Sequence, residues 1–308
     1  MEICLHRKLV VAYAGCLSCS KGFLPAVGKV AMQRRTLQLV LLLVSATPLL
    51  SQQSFIGHWE QRASATQAKQ PAWPPPLITT YVGLIQVERT DFIRQTASNH
   101  VETWNLDGGK GLNLIPLANT ELDVNLPPYL VHNSPTVANG AGDMSFVLKY
   151  RFLAGGAEHG NYDLTTFLSS TIPTGSYKNG STDATVSPNV GIGKGIGRFD
   201  VQSTLGASLP VEDTAKLGRT IAWNTAIQAH IAKYFWPEVE FNATYYKGGP
   251  NDGKNQTFAT PGLLVARKFH PSEARSRLAL CVGAGEQIAT STFHSYNHEI
   301  AVTTRLLF

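Results

Sequence analysis

From residue 81 onward, apolar and polar positions alternate with a period of two. Successive side chains of a strand face opposite sides, so this alternation predicts strands with two chemically distinct faces. Met144, Phe146, Leu148, Tyr150 and Phe152 share one face, and Asp143, Ser145, Val147, Lys149 and Arg151 share the other. The same separation recurs over 199–209, where Val201 and Leu205 stand against Asp200 and Gln202. It recurs over 221–231, with Trp223 and Ile227 against Asn224 and Gln228, and over 238–245, with Val239 and Phe241 against Glu238 and Glu240. Leu278, Leu280 and Val282 alternate with Arg275, Arg277 and Cys281. Turn signals punctuate the runs at Asn139-Gly140, Gly155-Gly156, Asn179-Gly180 and the Gly248 to Gly253 stretch. Trp236-Pro237 is expected as a tight break between two long strands, and the stretch from Leu114 to Ala118 as a bend within one strand. No segment after residue 81 carries a helical stripe. The count is about twelve strands, which leaves each enough chain for the 9–11 residues of a tilted membrane strand.

Two all-β folds share this pattern. A soluble sandwich turns its apolar faces inward, whereas an outer-membrane barrel turns them to lipid and lines its lumen with the polar ones. Three features favour an antiparallel transmembrane β-barrel of the bacterial outer membrane, with about twelve strands over residues 81–308. The first is an export leader without disulfides. Met32-Gln-Arg-Arg precedes an apolar run from Leu37 to Leu50, too short for a spanning helix but suited to a signal peptide. Residues 32–51 are expected as that leader, and residues 1–31 as an over-extended N-terminus. Only Cys281 would remain after processing. The second is a clustering of aromatics at strand ends, Tyr150, Phe152, Tyr162, Tyr234, Phe235, Trp236, Tyr245 and Tyr246, suited to interfacial girdles. The third is the alternation of Tyr296, His298, Ile300, Val302, Thr304, Leu306 and Phe308. It looks like the C-terminal signal that the barrel-assembly machinery reads as an unpaired edge strand. Residues 52–80, with Gln70-Pro-Ala-Trp-Pro-Pro-Pro76, are expected as a Pro-rich periplasmic linker or plug segment.

Charge sharpens this picture. The formal net charge is +5, but residues 1–51 hold six basic residues and one acid, so residues 52–308 balance at 20 of each sign. A nucleic-acid groove is therefore not suggested. Charged residues are 15% of the chain, below the roughly 25% of a soluble domain. Hydrophobic residues, at 43%, are too few for a bundle of spanning helices.

Several segments resemble the outer-membrane family of MetA-pathway phenol-degradation transporters. Residues 142–152, Gly-Asp-Met-Ser-Phe-Val-Leu-Lys-Tyr-Arg-Phe, are similar to its "GD, alternating, KYR" strand. Residues 167–175 are similar to its next strand, which ends in a Pro-Thr-Gly turn, and residues 119–124 to its earlier "ELxV" strand. Residues 76–80 stand where the family has Leu-x-Thr-Asp, with Thr80 in place of the Asp. The resemblance implies passage of aromatic compounds.

The chemistry that the strands would turn to the lumen has both signs: Lys149, Arg151, Arg275, Arg277 and Arg305 against Glu121, Asp123, Asp163, Asp200, Glu238, Glu240 and Glu299. Rings of charge tune what passes a pore. The same residues could instead pair and pack a narrow interior, in which case transport needs a plug movement or a lateral opening. No Gly-x-Ser-x-Gly elbow, His-Glu-x-x-His, phosphate loop or dinucleotide fingerprint occurs. No enzyme, cofactor or metal site is expected. Gly191, Gly193, Gly195 and Gly197 are expected to permit a bend or close packing in the wall. The expected function is passive transport of small solutes, aromatic or apolar ones included, with outer-membrane lipid and the barrel-assembly machinery as further partners. The alternatives are a structural or surface-interaction barrel with a filled lumen and a secreted soluble β-protein.

Overall fold

Among the residues described by the computed structural model (55–176, 178–269 and 277–308), fifteen strands join in one antiparallel sheet that closes on itself. They are β1 Val87–Thr96, β2 Glu102–Asp107, β3 Gly111–Leu117, β4 Thr120–Asn125, β5 Tyr129–His132, β6 Gly140–Ala141, β7 Met144–Gly155 and β8 Tyr162–Ile172. There follow β9 Thr185–Ile196, β10 Phe199–Pro210, β11 Arg219–Ala229, β12 Phe235–Lys247, β13 Asn255–Lys268, β14 Ala279–Ala289 and β15 His298–Leu307. β2 and β3 form one pass across the wall, as do β4 and β5, and β6 and β7. The sheet is therefore a twelve-stranded barrel. β1 pairs with β15 from Val87 opposite Leu307 to Thr96 opposite His298, which leaves no free sheet edge.

The faces of the wall decide between the two all-β folds. Leu148, Phe152, Ile192, Leu205, Trp223, Phe241 and Val302 are exposed on the outside. The positions between them turn inward and are polar and buried, among them Lys149, Arg151, Gln202, Gln228, Glu240 and Arg305. A soluble sandwich has the opposite distribution. An apolar exterior running round a closed wall is a surface for lipid.

Register shifts occur within the β3–β4 pair at Leu114–Leu117 and the β7–β8 pair at Arg151–Leu153, and a larger irregularity lies elsewhere. Register jumps from Leu106 opposite Tyr129 to Gly111 opposite Asn125, so residues 107–110 face 126–128 outside the regular pairing. Gly108 and Gly109 adopt positive φ here. Pro127 and Pro128, which have no N–H to donate, occupy the facing strand. Among the described residues, one backbone bond outside the ladder crosses the irregularity, Leu126 N–H to Lys110 O at 3.2 Å, and Gly142 N–H to Pro128 O at 2.7 Å ties the far side of 126–128 to the next strand.

Both ends of the barrel chain, Val87 and Leu307, lie at one rim, which carries the two-residue turns 118–119 and 197–198. The opposite rim carries longer loops, such as 173–184 and 211–218. Short turns mark the periplasmic rim.

Several details differ from the sequence reading. The stretch from Leu114 to Ala118 does not bend one strand. A hairpin turns at 118–119, with Leu117 opposite Thr120 and Asn119 at φ 59°, a left-handed conformation that Asn tolerates. Trp236-Pro237 lies inside β12, and the break falls at Ala232 and Lys233, which take positive φ. The wall begins at Val87, and residues 81–86 lie inside it as part of an internal segment. Residues 55–67 are helical (α1), although no helix was expected among 52–80. The expected extension 1–31, the leader 32–51 and Arg275 lie outside the described residues.

Candidate functional site

The lumen is occupied by the chain that precedes β1. Trp73, Leu77, Tyr81, Val82, Leu84 and Ile85 are all buried inside the barrel. The segment cannot form a strand ladder of its own there, so its backbone groups need other partners.

Those partners are the charged side chains of the wall, matched by type. Residues 74–76 are prolines and offer only carbonyls. Arg305 donates to the carbonyls of Pro75 and Pro76, the latter at 2.8 Å, and Gln202 donates to Pro74 O at 3.3 Å. The next residues offer N–H groups, and carboxylates receive them. Leu77 N–H donates to Glu238 Oε1 at 3.0 Å, and Ile78 and Thr79 N–H donate to the two oxygens of Glu240 at 2.8 and 2.6 Å. Farther along, Ile85 N–H donates to Glu121, and Arg89 donates to Leu77 O at 2.6 Å. Arg151 donates to the side chain of Gln70 and, at 2.9 Å, to Thr66 O at the end of α1.

The wall also buttresses itself beneath the segment. Lys149 pairs with Glu121 at 2.6 Å and with Asp123 at 3.6 Å, all three nearly fully buried. Arg89 makes a two-pronged pair with Asp91, which accepts from Thr303, which in turn accepts from Arg305 at 3.0 Å. Gln202, Gln228 and Glu238 form a chain of bonds at 3.0 and 2.7 Å. The charges of these networks thus have compensating groups, as low-dielectric burial requires, whereas one oxygen each of Asp123, Asp163 and Asp200 is buried without a hydrogen-bond partner.

Apolar side chains of the segment sit where the wall has no side chain. A Cβ on Gly262 or Gly285 would lie 2.5 or 2.6 Å from Leu77, and one on Gly193 would lie 2.5 Å from the Trp73 ring. Val82 lies against Gly191 and Gly193. These glycines face the lumen and permit the close approach.

The two halves of the lumen differ. Toward the periplasmic rim the inward residues are charged and buried, and the segment fills the space. Toward the other rim they are mostly neutral: Ser169, Thr171, Ser187, Asn189, Asn224 and Thr244 are half-buried, and the charged exception, Glu299, accepts from Gln95 at 2.7 Å. Asn242 donates to Asn224 at 3.1 Å and accepts from Gln287 at 2.9 Å. A cavity of about 90 Å³ lies between the segment and the irregular wall, lined by Ile78, Tyr81, Lys110, Asn125, Val147 and Lys149. A second, about 280 Å³, lies at the periplasmic rim beside Trp73, Tyr234, Trp236 and Leu307.

The sequence-predicted residues fall as follows. Lys149, Arg151, Asp163, Asp200, Glu238, Glu240, Glu299 and Arg305 all face the lumen and are buried. Arg277 lies just before β14 and binds Glu60 and Gln67 of α1. Ile300, Val302 and Leu306 are exposed on the outer face. Tyr296 does not share their face: it precedes β15, bonds to Gln287 and stacks on the inward Phe258 with ring centroids 4.8 Å apart. Phe308 follows β15, and its N–H donates to Gln86 O. The segment's own residues, Arg89 and Gln202 were not singled out. Two signals point to them: three prolines that leave carbonyls without neighbouring donors, and glycines spaced by two along one strand face.

The closed, even-stranded antiparallel wall, with its apolar exterior and polar lumen, defines an outer-membrane β-barrel, and the protein resides in a bacterial outer membrane. No protein-family model matches the chain, and no curated protein matches it. Among solved structures it is similar to an outer membrane channel from Pseudomonas putida F1, at 12% identity over 77% of this chain and 100% of that one, with a TM-score of 0.49. It is also similar to the outer membrane channel DcaP of Acinetobacter baumannii, at 9% identity over 73% of this chain and 96% of that one, with a TM-score of 0.34. OmpT, an outer membrane protein of Vibrio cholerae, gives 10% identity, 75% and 99% coverage and a TM-score of 0.33.

Proposed function

We propose that the protein is a passive channel for small apolar solutes, aromatic ones included, and that its internal segment stays in place during passage. The observation that carries this reading is the division of the lumen. A mostly neutral, half-buried upper half, in which Glu299 is held by Gln95, leads down to a charged half whose charges are engaged by backbone. Release of the segment would break bonds from Glu238, Glu240, Glu121, Arg305, Arg89 and Arg151 together. A hydrogen bond to a charged group contributes roughly 1.5–3 kcal/mol net, so release of the whole segment is costly. Parting the wall at 107–110 and 126–128 breaks one backbone bond, Leu126 to Lys110, worth roughly 0.5–1.5 kcal/mol net. The smaller cavity lies against the inner side of that place. Passage from the upper lumen through this cavity and sideways into the bilayer is the cheaper route, and it suits solutes that partition into lipid. The resemblance to MetA-pathway transporters, which implies aromatic compounds, agrees with this class.

The filled lumen also favours a second reading, a sealed barrel without transport. Uptake of the apolar dye N-phenylnaphthylamine by cells with an intact outer membrane separates them. Cells bearing the protein should take up the dye faster than cells bearing the empty vector, while vesicles containing the protein should stay impermeable to a neutral sugar. Equal dye uptake in both strains identifies the sealed barrel.

A further inference from the structure

The outer face of β11 and β12 reads in order from the loop-bearing rim inward. Arg219 stands opposite Lys247, then Ile221 opposite Tyr245, Trp223 opposite Ala243, Thr225 opposite Phe241, and Ile227 opposite Val239. The first rung carries two exposed cations directly across from one another, and every other rung is apolar or a single hydroxyl. Like charges directly opposite in a sheet repel. Neither Arg219 nor Lys247 has an ion-pair or side-chain hydrogen-bond partner among the described residues. The acids of the two adjoining loops, Glu212, Asp213 and Asp252, form no ion pair with them. Lys216, at the end of the one-turn helix Thr214–Leu217, adds a third exposed cation near the same rung.

The loops that hold these cations are tightly apposed. A Cβ on Gly218 would lie 2.4 Å from Gly248 O, and one on Gly249 would lie 2.8 Å from the backbone of Leu217 and Gly218. All three glycines have positive φ, so this contact depends on them. The two basic strand ends are thus held side by side. Below them lies exposed apolar surface, with Trp223 at 61% and Phe241 at 52% exposure.

We propose that this face binds one phosphate-bearing lipid of the outer leaflet, with the phosphate on Arg219 and Lys247 and the acyl chains along Ile221, Tyr245, Trp223 and Phe241. The charge complement of two adjacent cations is a phosphate, which Arg engages through two N–H donors and Lys as a point charge. The apolar ladder directly beneath requires that the phosphate be carried by a lipid. The site rests on the membrane placement of the barrel and not on transport, so it stands or falls separately from the channel reading.

The test is native mass spectrometry of the purified full-length protein titrated with bisphosphorylated lipid A. Wild type should retain one lipid, and the Arg219→Gln/Lys247→Gln double variant, which removes both phosphate contacts, should retain it at least about tenfold less, the loss expected for one such contact alone. Lys194→Gln, an exposed lysine at the other rim, should retain it like wild type. Dephosphorylated lipid A should bind as weakly to wild type as the intact lipid binds to the double variant. Equal retention by the double variant and wild type overturns the proposal. So does equal binding of the dephosphorylated lipid, or complete displacement by millimolar inorganic phosphate.

Discussion

Arg305 is fully buried in the lumen, and among the described residues no carboxylate lies within ion-pair distance of it. Its guanidinium is compensated by two proline carbonyls and a threonine hydroxyl. Replacing it by Leu would leave those carbonyls unpaired and should cost the internal segment about 3 kcal/mol. Limited proteolysis should then cut before Val87 while the barrel keeps its heat-modifiable mobility. Full protection of the segment would contradict the role given to Arg305. Glu240→Gln tests the opposite sign. The Ile78 and Thr79 N–H groups donate to separate oxygens of the carboxylate, so in the amide one of them would face an NH2 donor, and protection should fall again. Packing gives a third residue-scale expectation. Gly193→Val would drive a side chain into the Trp73 ring, and overpacking of this kind costs about 1–3 kcal/mol. A red shift in tryptophan emission relative to wild type should report the displaced ring. Much of this was legible beforehand: the sequence pattern turned Glu238, Glu240 and Arg305 to the lumen. It left open whether they line a pore or pair with each other. The partner they meet is backbone, which every sequence has and which no residue type advertises.

At the scale of strands, alternation carried most of the information, because a period of two survives any register. The runs over 142–153, 199–209 and 238–245 keep their faces in the barrel. Boundaries were harder to read. Ala118-Asn119 lacks glycine and proline, so a tight hairpin resembled a bend. Pro237 suggested a break, but it sits near the start of β12, where a missing N–H is tolerated. The helix at 55–67 has no broad apolar stripe: Ala63 and Thr66 are its buried positions, and its stability comes from packing on Leu84 and Ile115. The outward faces make a depth-dependent prediction. Leu205→Arg, in the middle of β10, should destabilise the barrel in lipid by about 2–4 kcal/mol, and Leu209→Arg near the rim by about 0–1 kcal/mol. Equal effects in urea unfolding from vesicles would contradict the placement of the apolar belt.

For the whole molecule, alternation could not say which face meets lipid. That assignment came from closure of the wall and from polar side chains buried behind an exposed apolar exterior. At this scale the proposal is that solute passes while the internal segment remains in the lumen. Val82 Cγ1 lies 3.0 Å from where a Cβ on Gly191 would stand, a spacing suited to a disulfide between cysteines at the two positions. The most direct measurement is N-phenylnaphthylamine uptake by cells bearing the Val82→Cys/Gly191→Cys protein, with the bridge formed and with it reduced. Equal uptake is expected in both states, above that of cells bearing the empty vector. Uptake that appears only after reduction would show that the segment must leave, and would contradict the proposal.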